Sequence, residues 1–115
     1  MTTDANTHPD ALTITYVERS LGFGGDDAAT FLVDRPGHPK AEYDLRLAMD
    51  ALDLFQAKTG ELDADQRQGL LQALAARVYP RLFSGEQRLV AIAVVRARDI
   101  APSEVDDILA DAGLQ

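Results

Sequence analysis

A chain of 115 residues with 46% hydrophobic side chains is long enough for one domain with its own core, which excludes global disorder. The absence of cysteine excludes a disulfide scaffold, a thiolate zinc site and a cysteine nucleophile, and it fits a reducing compartment. The net charge of −8 gives a surface that repels nucleic-acid phosphates at long range.

That charge is unevenly spread. Residues 1–60 carry 10 acidic and 5 basic side chains, residues 61–98 carry 4 and 6, and residues 99–115 carry 5 and none. A basic partner surface is the better electrostatic match for the two acidic ends. The N-terminus has neither a basic segment nor an apolar segment of the secretory kind, and the longest apolar run is far short of the roughly 20 residues that span a bilayer. The expectation is a cytoplasmic protein with no membrane partner.

Residues 1–10 are polar and aperiodic and read as a flexible tail, with 11–115 as a single globular domain. Within 12–19, Leu12, Ile14 and Tyr16 alternate with Thr13 and Thr15, the period of a half-buried strand. A second strand is expected at 30–35, ended by Pro36 and Gly37. The two would pair as a hairpin across the glycine-rich stretch 22–27. A helical reading stays open, with Asp10 and Asp26 as caps over 11–21 and 27–34. The glycine loop is not a phosphate cradle: Asp27 stands where a dinucleotide fingerprint needs its third glycine, and no Lys-Ser/Thr pair follows. Asp26 and Asp27 lack the further spaced ligands of a cation site.

After the turn at 35–39, a helix is expected over 39–58, ended by Thr59 and Gly60. Leu45, Ala48, Met49, Leu52 and Phe55 form one apolar stripe, and Leu47, Ala51 and Leu54 widen it, so this helix should pack on two neighbours or on another chain. Asp44, Asp50 and Asp53 occupy its polar side. A second helix is expected over 64–79, with Asp63 and Gln66 as an approximate capping box and Pro80 as its end.

The longest apolar run, 89–95, follows a capping-box pattern at Ser84-Gly-Glu-Gln87 and precedes Arg96 and Arg98, where a helix dipole favours cations. Alone the run could be a buried strand, as its Val and Ile residues prefer, but with these flanks it reads as a central helix over 85–98, covered by the others, with Ile92 at its heart. A last helix is expected over 103–112, with Val105, Ile108, Leu109 and Ala112 inward and Asp106, Asp107 and Asp111 outward.

The expected fold class is therefore mostly α, with α+β as the variant: about four helices in 39–113, preceded by a hairpin or irregular region in 11–38. No catalytic triad, nucleophile elbow or zinc-binding helix appears, and neither a cofactor nor a metal is implied. DNA recognition through 103–112 is excluded by its carboxylates. The functional expectation is a non-enzymatic protein-binding module, a small acidic adaptor, inhibitor or antitoxin-like protein docking on a basic partner. Its candidate contact residues are Asp44, Asp50, Asp53, Asp106, Asp107 and Asp111, with Leu47 and Leu54. The alternative is a subunit of a homo- or hetero-oligomeric assembly that uses the apolar helix face.

Overall fold

A computed structural model describes residues 12–21, 26–83 and 92–114. The chain runs β1 (Thr13–Leu21), β2 (Asp27–Asp34), β3 (Ala41–Leu47), α1 (Met49–Thr59), α2 (Ala64–Phe83), β4 (Ile92–Val95) and α3 (Val105–Asp111). Two 3-10 turns, Ala97–Asp99 and Pro102–Glu104, lead from β4 into α3. The strands form one sheet in the order β1-β2-β3-β4. The first two pairs are antiparallel and β3–β4 is parallel. The architecture is α+β, and the expectation of a mostly helical, four-helix bundle is overturned by this sheet.

The N-terminal hairpin forms: Thr13 pairs with Asp34 and Leu21 with Asp27, with a bulge between Tyr16 and Glu18. The first departure comes at 41–47, where a third strand replaces the start of the expected helix. Ala41, Tyr43, Leu45 and Leu47 alternate with Glu42, Asp44 and Arg46, and this period of two suits a strand with one buried face. Leu45 and Leu47 are fully buried while Glu42 is exposed. The helix starts only at Met49, and its buried residues are Ala51 and Phe55. Gly60 ends it with φ +87° and ψ −176°, a backbone shape essentially restricted to glycine.

In α2 the capping box is reciprocal: the Gln66 amide donates to Asp63 Oδ1 at 2.8 Å, and the Asp63 amide donates to Gln66 Oε1 at 2.9 Å. The helix does not stop at Pro80 but continues to Phe83. Pro80 and Ala76 are both exposed, so the interrupted hydrogen bond lies on the outer side of the helix.

The second departure is β4. The apolar run does not make a central helix; its described part is a four-residue strand beside β3, with Leu45 opposite Ala93 and Leu47 opposite Val95. The β-branched residues suit this role, and the strand supplies hydrogen-bond partners that the outer edge of β3 would otherwise lack. Ala93 and Val95 face the core, whereas Ile92 is 46% exposed and is not its centre. The capping-box residues 84–87, the glycine loop at 22–25 and the tail 1–10 lie outside the described residues.

All three helices contribute to the same core. Ala29, Phe31, Val33, Leu45, Leu47, Ala93 and Val95 from one face of the sheet meet Phe55 of α1, Leu70, Leu71, Leu74 and Tyr79 of α2, and Ile108 and Leu109 of α3. Tyr79 packs its ring against Phe31 and Tyr43 at centroid distances of 6.1 and 6.0 Å. Burial pushes its hydroxyl pKa up, with the charge of Asp44 adding to the effect, so the phenol stays neutral. The other sheet face carries Thr15, Glu18, Thr30, Glu42, Asp44 and Arg46, the polar half of the strand alternation.

Candidate functional site

The structure separates the eight sequence-derived contact residues into two groups. Leu47 has no exposed surface, being clamped in β3 between Asp27 of β2 and Val95 of β4, and presents nothing to a partner. Asp44 lies on the polar face of the sheet, where its Oδ1 accepts a 2.7 Å hydrogen bond from Thr30 Oγ1. The other six sit on α1 and α3, two helices that pack against each other.

On α1, Asp50, Asp53 and Leu54 are exposed, Leu54 at 36%. On α3, Asp106, Asp107 and Asp111 are exposed because Val105, Ile108 and Leu109 take the inward side. The helix period that buries the three apolar residues is what turns the carboxylates outward.

Three of these carboxylates hold α3 and the chain before it in place. Lys58 Nζ reaches Asp106 Oδ1 at 3.0 Å, tying α1 to α3. Arg77 of α2 reaches Asp111 Oδ2 at 2.9 Å on the far side. Asp50 Oδ1 accepts the Ala97 amide at 3.2 Å. Glu104 is hydrogen-bonded by Arg81, which holds its carboxyl below the usual range, and the Ala101 amide and Arg77 add to this. Asp53 and Asp107 have no ion pair among the described residues. With Asp50, whose partner is a neutral backbone amide, they carry the negative charge of this layer that no described cation offsets.

Between α1 and the segment 97–105 lies a groove of about 560 Å³. Its apolar surface comes from Leu54, Ala57, Ala97, Ile100, Pro102 and Val105. Lys58 and Arg98 stand at its margin; Lys58 is neutralised by Asp106, and Arg98 has no carboxylate partner among the described residues. Of these eight residues only Leu54 was marked by its sequence pattern as a contact residue. Val105 begins α3 and was read as an inward core residue; the others come from α1 and from the 3-10 turns and their link at Ile100, where no periodicity reveals a groove.

The chemistry of the remaining clusters is structural. Asp26 and Asp27 are adjacent but diverge: Asp26 meets Arg46 at 3.0 Å, and Asp27 meets Arg19 at 3.1 Å and Arg67 at 3.4 Å. Each of the two faces a cation of this chain. Among the described residues no three His, Asp or Glu side chains are placed to hold a metal ion. No described helix is long and apolar enough to cross a membrane. Comparison with protein-family models, curated proteins and solved structures finds no match.

Proposed function

We propose that the protein is a binding module that docks on a basic surface of another protein through the layer formed by α1 and α3. The observation that carries this reading is the gathering of Asp50, Asp53, Leu54, Asp106, Asp107 and Asp111 on two contiguous helices, with Asp53 and Asp107 left uncompensated. An apolar side chain inside a charged rim is how many interfaces combine affinity with steering. The reading as an oligomer subunit loses most of its motive, because the apolar stripe it relied on splits between a buried strand and a helix.

The test replaces Asp53 and Asp107 by Asn, which keeps their shape and removes their charge. Proteins bound by the wild type in extract of its host are quantified beside those bound by the double variant, at low and moderate salt. The reading expects bound proteins of basic character that are lost both with the variant and with salt. An unchanged bound set overturns it.

A further inference from the structure

We infer, resting on that docking reading, that the groove between α1 and residues 97–105 is the anchor site of the interface, and that it takes two apolar side chains one turn apart on a partner helix. Three features point to this occupant.

The first is size. The groove is bracketed by two ties, Asp50 to the Ala97 amide and Lys58 to Asp106. Asp50 and Lys58 stand about 12 Å apart along α1, two helical turns. Two side chains at i and i+4, about 6 Å apart, fit between these ties.

The second is the state of the backbone along the groove. The Ala97 amide is taken by Asp50, that of Asp99 by the Arg96 carbonyl, and that of Ile100 by the Ala97 carbonyl. The Ala101 amide donates to Glu104 Oε1, and the Glu104 amide to the Ala101 carbonyl. An extended peptide draws affinity from main-chain hydrogen bonds, and these donors are already engaged. A helix satisfies its own backbone and needs only apolar contact, which Leu54, Ala57, Ile100, Pro102 and Val105 offer.

The third is charge. Asp53 is on the exposed side of α1 one turn before Ala57, and Asp107 is next to the Asp106 that holds the groove's end. Both call for Lys or Arg beside the apolar anchors. Arg98, on the opposite wall, calls for one carboxylate.

The test uses a labelled 16-residue helical peptide with Leu at two positions four apart, Lys on the flanks facing α1 and α3, and one Glu on the Arg98 side. A second peptide has Ala in place of both Leu, and anisotropy titrations give both affinities. The Leu peptide should bind at least tenfold more tightly, as loss of two buried Leu side chains requires. Leu54→Asp, at an exposed position, should erase that preference, and Ala57→Gln should reduce it. Arg98→Glu should weaken the Leu peptide several-fold, and replacing the peptide's Glu by Lys should restore it. Equal binding of the two peptides, lost with salt and in the Asp53→Asn, Asp107→Asn variant, overturns the groove inference and leaves the docking reading standing. Binding of neither peptide overturns the groove inference, while the docking reading stands or falls on whether the Asp53→Asn, Asp107→Asn variant loses its basic bound proteins. A concentration-dependent dimer abolished by Leu54→Asp gives the groove to a second copy and also overturns the inference.

Discussion

Truncating the two β-branched residues at the ends of β4 separates a strand from a helix at this position. Val95 is 4% exposed and faces Leu47 across the parallel pair; Ile92 is 46% exposed. Val95→Ala removes two buried methyl groups, about 1.6 kcal/mol at about 0.8 kcal/mol per carbon, and the unfilled space raises the expected loss to about 2 kcal/mol. Ile92→Ala removes three carbons that are already half in water. Halving the same coefficient bounds its loss at about 1.2 kcal/mol, and substitutions at exposed sites usually fall near 0.5 kcal/mol. Urea denaturation followed by circular dichroism, with the slope on denaturant unchanged, measures both. Val95→Ala should therefore cost about 1 kcal/mol more than Ile92→Ala. An Ile92 loss equal to or above that of Val95 would restore a buried helix to this segment and refute the assigned strand register.

Two further outcomes follow from single residues. Glu104 has a lowered carboxyl pKa in the folded protein, so its contribution to stability is present above the ordinary value of 4.5 and is lost as pH falls below it. The stability difference between wild type and Glu104→Gln, measured by urea melts, should shrink between pH 7 and pH 3, and a constant gap would mean that the arginine clamp on α3 contributes nothing. Gly60→Ala should cost about 1–3 kcal/mol through backbone strain alone, because the added methyl would meet no atom within 4 Å; a neutral result in thermal denaturation would place the end of α1 elsewhere.

Much of the fold was written in local patterns, and the errors came where two patterns overlap. The β1 alternation left a helix open as well, and the strand is what forms; the Asp63–Gln66 box is realised as a reciprocal pair of hydrogen bonds. In 41–55 the apolar residues satisfy both periods: Tyr43, Leu45 and Leu47 recur every two residues, while Leu45, Ala48, Met49, Leu52 and Phe55 recur at helical spacing. The strand wins up to Leu47 because β2 offers it a full row of backbone partners, and no local signal announces that edge. The run at 89–95 was misread for the same reason, since its partner strand lies far away in sequence. Of the candidate site, the outward carboxylates of α3 were legible from helix period. The groove was not, because it exists only once Pro102 and the two 3-10 turns lay Ile100 and Val105 beside Leu54.

The parallel β3–β4 pair has a consequence for the order in which the molecule assembles. Leu47 and Val95 are about 48 residues apart in sequence, and α1 and α2 lie between them. Closing a flexible loop of that length costs on the order of 3 kcal/mol, whereas the β1–β2–β3 meander closes through short connections. The meander and the two helices can therefore form first, shortening the effective loop, and β4 then docks as the last strand, carrying α3 with it. Until it does, the outer backbone edge of β3 stays open to any other strand. The window between meander formation and β4 docking is the stage at which this chain is most exposed to aggregation.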